Sequence, residues 1–93
     1  MRIIGYIEHP SLKVTVFKMD TRLSIKFEDD LYEQTYKYRM QDGLSSLSDI
    51  KELVDVDLQA AVLAQFAAMK KASEAALQRH LPSEEEDEFP VII

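Results

Sequence analysis

The sequence contains no cysteine and no tryptophan, and only two glycines, three prolines and two histidines among its 93 residues. Without cysteine there is no disulfide framework, thiolate metal site or cysteine nucleophile. Gly5 and Gly43 are too few and too far apart to form a phosphate-cradling loop. His9 sits in a turn before Pro10. His80 falls in the last turn of a helical stretch, where a cation suits the helix dipole. No His, Asp or Glu set converges at metal-ligand spacing. Ser45, Ser46 and Ser48 lack a G-x-S-x-G context and read as helix-start residues. The residue inventory therefore points away from catalysis, and neither a cofactor nor a metal is expected.

Long apolar runs are also missing. No stretch approaches the ~18 apolar residues of a membrane span, and MRIIGYIEHP has neither the apolar core nor the cleavage site of a signal peptide. The expectation is a cytoplasmic protein without a membrane partner.

Charge is present but uneven. The chain carries −6 overall, and five acids lie consecutively at Glu84, Glu85, Glu86, Asp87 and Glu88. The remainder is therefore close to neutral, and the acidic isoelectric point describes the tail rather than the body.

From Arg2 to Met40 the hydrophobic period is two. Strands are expected at Arg2–Glu8, Leu12–Met19, Arg22–Glu28 and Leu31–Met40, rich in Ile, Val, Phe, Tyr and Thr. Short polar turns separate them at His9-Pro10-Ser11, Asp20-Thr21 and Asp29-Asp30. Two-residue turns at the last two sites would set Val16 opposite Ile25 and Ile25 opposite Gln34. A tight first hairpin would set Ile7 opposite Leu12 and Gly5 opposite Val14. One face then collects Ile3, Ile7, Leu12, Val14, Val16, Leu23, Ile25, Phe27, Tyr32, Tyr36, Tyr38 and Met40. On the other face Ile4, Tyr6 and Phe17 form an apolar patch amid Lys13, Lys26, Lys37 and Arg39. A patch of that kind usually has a partner. Lys26 and Glu33 suit an ion pair, and Gly5, on the core face, leaves room for a helix to approach.

Gly43 breaks the strand pattern and suits a left-handed turn. Ser46 with Asp49 resembles a capping box. A helical period follows through Ile50, Leu53, Val54, Leu58, Val62, Phe66, Met69 and Leu77, and Pro82 stops it. Asp55 and Asp57 leave open one kinked helix or two, over 48–55 and 57–80. Ala60, Ala64, Ala68, Ala72 and Ala76 recur at every fourth position, a small-residue ridge that would let another element approach closely. The expected fold class is α+β: a four-stranded antiparallel meander over 1–82, with a long C-terminal helix on one sheet face, then a tail over 83–93.

Two resemblances follow. IIGYIEHPSLKVTVFKM and LPSEEEDEFPVII together resemble a family of small Bacteroidetes proteins with no assigned function, which implies no activity. Four strands followed by a long helix is similar to the unit of whirly and Pur-type single-stranded nucleic-acid-binding proteins. There, helices pack in a dimer core and sheet faces meet the nucleic acid. No motif of those families matches residue by residue, and a shared fold hosts many functions.

The leading expectation is a small non-enzymatic, homo-oligomeric protein-interaction module, with the chain itself as first partner. The alternative is a single-stranded nucleic-acid binder using the basic sheet face. In the tail, Phe89, Val91, Ile92 and Ile93 follow the acid run directly. That segment is either a solvated acidic tail or a docking segment, received by its own body, a sister chain or another protein.

Overall fold

In a computed structural model of the chain, residues 1–82 are described; the tail over 83–93 lies outside them. The elements run β1 (Arg2–Ile7), β2 (Lys13–Met19), β3 (Arg22–Asp29), β4 (Tyr32–Arg39), α1 (Leu47–Leu53) and α2 (Val56–His80). The strands form one antiparallel sheet in the order β1-β2-β3-β4, and both helices lie on the same sheet face. The α+β meander read from the sequence is the observed fold.

The turns decide the register. Between β2 and β3 the expected pairing holds, with Val14 opposite Phe27 and Val16 opposite Ile25. Asp20 opens this turn at φ 53°, a left-handed conformation that aspartate tolerates better than most residues. Asp30 does the same at φ 58° between β3 and β4. That turn is therefore Asp30-Leu31 rather than Asp29-Asp30. Asp29 pairs with Tyr32, and Ile25 meets Tyr36 instead of Gln34. The first hairpin also differs, because its loop spans Glu8 to Leu12: Ile7 pairs with Val14 and Gly5 with Val16. Both shifts are by two residues, so the side chains keep their expected faces.

One expectation does change face. The β1–β2 register slips between Ile3 and Gly5, a bulge that accommodates Ile4 as an extra residue. Parity inverts before it. Ile3, expected in the core, pairs with Phe17 and is 50% exposed, whereas Ile4, expected outside, packs against the core.

The core joins Val14, Val16, Leu23, Ile25 and Phe27 of the sheet to Ile50, Val54, Val62 and Phe66 of the helices. Full burial of side chains such as Val62 and Phe66 contributes roughly 1.5–3 kcal/mol each. Tyr32, Tyr36 and Tyr38 line the same face, with Phe27 and Tyr36 in an edge-to-face contact at 5.7 Å.

The helical region is two helices. Ser46 Oγ accepts the Asp49 N–H at 3.2 Å, and Asp49 Oδ2 accepts the Ser46 N–H at 3.2 Å, completing the expected capping box. Asp55 caps α2 by accepting the Leu58 N–H at 2.8 Å.

Candidate interaction surfaces

The outer sheet face, which neither helix covers, is arranged in rows by the strand register. Ile3, Phe17, Ser24 and Lys37 form one row; Tyr6, Thr15, Lys26 and Thr35 form the next. Met19, Arg22 and Arg39 lie beyond the first row, and Lys13, Glu28 and Glu33 beyond the second. The face is thus divided lengthwise. Its β1–β2 half is apolar, with Ile3, Tyr6, Phe17 and Met19. Its β3–β4 half is basic, with Arg22, Lys26, Lys37 and Arg39.

This division corrects the patch expected from sequence. Ile4 leaves it for the core, and Ile3 takes its place beside Phe17. Tyr6 is 57% exposed and Phe17 half-buried. Lys26 forms the expected ion pair with Glu33, Nζ to Oε1 at 3.8 Å. The contact is diagonal, because Lys26 sits opposite Thr35 and Glu33 opposite Glu28. Lys13, Lys37 and Arg39 are exposed. Arg22 stands directly opposite Arg39, a like-charge pair that raises the positive potential at that corner.

The second surface is the solvent side of α2. Ala60, Ala64, Ala68, Ala72 and Ala76 are all exposed. Steps of four residues drift by about 40° each around a helix, so this ridge winds rather than running straight. Ala60, Ala64 and Ala68, with Ala67, face away from Val62 and Phe66. Sequence reasoning missed a plainer signal: from Leu58 to Met69 there is no charged residue. The solvent side of a surface helix is ordinarily charged. Here it carries alanines, glutamines and Leu63, which is 41% exposed.

The C-terminal end of α2 extends past the sheet. Gln34 Nε2 donates to the Val62 carbonyl at 2.9 Å, and Lys70 Nζ meets Asp29 Oδ2 at 3.0 Å. α2 therefore runs along β4 toward the β3–β4 turn and leaves the sheet there. The hydrogen bond and charge of Asp29 hold the Lys70 ammonium above its ordinary pKa. Every residue from Lys71 to Pro82 is exposed, including Leu77 and Leu81. The apolar periodicity continues through Ala76 and Leu77 as though something lay beneath them.

The remaining polar groups have structural work. His9 Nδ1 accepts the N–H groups of Ser11 and Leu12, both at 3.1 Å, and so ties the β1–β2 loop. A shallow groove beside it is lined by Tyr6, Glu8, Pro10 and Lys13, among others. Burial, then the neighbouring Tyr36, pushes the Tyr38 hydroxyl above its ordinary pKa. Among the described residues no cluster of His, Cys, Asp or Glu could hold a metal ion, and no helix is long and apolar enough to cross a membrane. Phe89, Val91, Ile92 and Ile93, the expected docking tail, lie outside the described residues. Comparison with protein-family models, curated proteins and solved structures finds no match.

Proposed function

We propose that this chain is a non-enzymatic protein-interaction module that works first by pairing with a second copy through α2. The observation that carries this reading is the uncharged run Leu58–Met69 on a helix whose outer side is open. Alanines there allow two helices to approach closely along the i, i+4 rows, and a two-fold axis lets one surface serve both partners. The overhang from Lys71 supports the same reading. Three helical turns without tertiary support are marginal in isolation, and a partner helix would stabilise them.

Light scattering on a sizing column at micromolar concentration should give a dimer or higher oligomer. Ala64→Glu and Ala68→Glu place charges on the pairing side and should yield monomers with unchanged β-sheet signal. A wild-type chain that stays monomeric under those conditions ends the reading.

A second reading rests on the outer sheet face, where Arg22, Lys26, Lys37 and Arg39 adjoin Tyr6 and Phe17. Basic grooves with aromatic side chains suit single-stranded nucleic acid. Fluorescence anisotropy with short oligonucleotides, with and without residues 83–93, checks it. Binding should weaken with salt and with Lys37→Glu, and an unchanged signal at low salt in both chains rejects it.

A further inference from the structure

We propose that β4 is an association edge: it pairs antiparallel with β4 of a second copy, across a two-fold axis at Tyr36. This goes beyond the α2 pairing proposed above. The β4 edge lies in the plane of the sheet, whereas the pairing side of α2 points away from it.

The backbone supplies the first argument. β1 and β4 are the edge strands, and they differ. β1 carries the Ile4 bulge and Gly5, and a bulge spoils an edge for further pairing. β4 runs from Tyr32 to Arg39 with no proline, glycine or register shift. Its hydrogen-bonding parity follows from Met40, whose N–H donates to the Thr21 carbonyl at 2.8 Å. Alternate residues of an antiparallel strand bond a given neighbour, so Tyr32, Gln34, Tyr36 and Tyr38 turn their backbone groups to β3. Glu33, Thr35, Lys37 and Arg39 turn theirs outward. Among the described residues these outward groups meet one long contact, from Gln41 Nε2 to the Arg39 carbonyl at 3.5 Å. A second β4 engages all four only in the register centred on Tyr36. There Glu33 faces Arg39, and Thr35 faces Lys37, of the partner subunit.

Charge selects the same register. Arg22 stands opposite Arg39, and Glu28 opposite Glu33, at opposite ends of the β3–β4 hairpin. Like charges directly opposite each other destabilise a sheet. Lys26 reaches Glu33 diagonally at 3.8 Å, but among the described residues neither Arg22 nor Arg39 forms an ion pair. The added strand sets Glu33 beside Arg39 of the partner subunit, and Arg39 beside the partner's Glu33. Each like-charged row then continues into a row of opposite sign. Centring on Thr35 pairs Glu33 with Lys37 but leaves Arg39 opposite the turn residue Leu31. Centring on Lys37 sets two lysines face to face.

α2 leaves this edge open. Its flank toward β3 carries Gln59 and Lys70, both half-buried, with Lys70 bonded to Asp29. Ala61 and Gln65 lie on the opposite flank, over the β4 edge, and are exposed. The pairing joins two sheets into one and stops there, because the outer edges of the joined sheet are the two bulged β1 strands. One strand pair buries little side-chain area. The contact is therefore weaker than α2 pairing and forms above the micromolar range.

Single cysteines test this, since the chain has none of its own. Thr35→Cys and Lys37→Cys chains, altered at exposed positions, are mixed equally well above micromolar concentration and oxidised with diamide. Directly opposite residues of this type lie ~5.5 Å apart, within disulfide range. Pairs 35–35 and 37–37 are diagonal, at ~7–8 Å, and lie beyond it. Mass spectrometry should find the mixed 35–37 disulfide several-fold above both like products together. Glu33→Arg or Arg39→Glu in both chains should lower that yield several-fold, and the two together should restore it. A statistical mixture of products, or none, overturns edge pairing. A dominant 35–35 product moves the axis to Thr35 and overturns the register. Ala64→Glu, which blocks α2 pairing, should leave the mixed product dominant; its loss there overturns β4 as a separate surface. The two proposals fail separately. A light-scattering dimer without the 35–37 disulfide removes edge pairing alone, and the disulfide in a chain monomeric at micromolar concentration removes α2 pairing alone.

Discussion

The Gln34 side chain joins β4 to α2: its Nε2 donates to the Val62 carbonyl at 2.9 Å. Its Oε1 in turn accepts the Tyr36 hydroxyl. A carbonyl inside a helix has a second lone pair for such a donor, and Val62 itself is fully buried. Gln34 thus satisfies a tyrosine and fixes the placement of α2 along β4. Gln34→Leu should cost roughly 1–3 kcal/mol, most of it from the half-buried Tyr36 hydroxyl left without a partner. Combining it with Tyr36→Phe should recover part of that loss, because both partners are then gone. Urea unfolding of the two single variants and the double variant measures this coupling.

Faces were legible in the sequence because side chains alternate with period two along every strand. Register was not fully legible for the same reason. A shift of two residues leaves every side chain on its face, so Ile25 could be set opposite Gln34 or Tyr36 with equal hydrophobic agreement. The bulge at Ile4 was hidden because its neighbour Ile3 is the same residue, and exchanging them leaves the composition of each face unaltered. The helix cap at Ser46 was readable because it depends on local chemistry alone, whereas Asp55 and Asp57 both suit a helix start and left one kinked helix or two open. The overhang of α2 was not, since helical periodicity continues to Leu77 regardless of where the sheet stops. On the outer sheet face, Tyr6, Phe17 and the lysines fall where the period-two alternation put them, and the division into apolar and basic halves needed the register.

The two left-handed aspartates make opposite predictions for neighbouring residues. Asp30 sits at φ 58°, so Asp30→Gly removes a steric cost and should be neutral or stabilise by up to ~1 kcal/mol. Asp29 is the last residue of β3, pairs with Tyr32 and meets Lys70. Asp29→Gly should therefore lower thermal stability while Asp30→Gly does not. Equal losses at both positions would favour the Asp29-Asp30 turn instead. At the other turn, Asp20→Val should cost ~1–2 kcal/mol, since a β-branched residue resists the left-handed region.

Gly5 faces Leu47 at the start of α1. A Cβ at this position would overlap the leucine side chain, with Cδ1 at 3.0 Å and Cγ at 3.2 Å. Gly5→Ala should destabilise by roughly 1–3 kcal/mol through overpacking, because Leu47 must move while Ile50, one turn on, is fully buried. The penalty should shrink when Leu47→Ala is added, since the cavity and the new methyl group offset each other. If the two losses simply add, α1 does not rest on β1 in the way the structure has it.

Asp49 gives α1 a pH dependence whose sign is fixed. Hydrogen bonds from the Ser45 N–H at 2.8 Å, and from Ser46, hold its carboxyl below the usual aspartate range. A carboxyl with a lower pKa in the folded state stabilises that state above its unfolded pKa of about 3.9, and the contribution fades as pH falls through the folded value. Acidification should therefore loosen α1 first at its Ser46 end. The measurement is amide hydrogen exchange of Asp49 and Ile50 compared between neutral pH and about pH 3, corrected for intrinsic exchange. Asp49→Asn keeps an acceptor but not its charge, so it should lower protection at neutral pH and remove most of the acid dependence. Ser46→Ala should instead cost about 1 kcal/mol and leave an acid-dependent remainder, because the Ser45 and Ser46 N–H groups still reach the carboxylate. If Asp49→Asn and wild type lose protection in parallel as the pH falls, the acid sensitivity of α1 lies in another group.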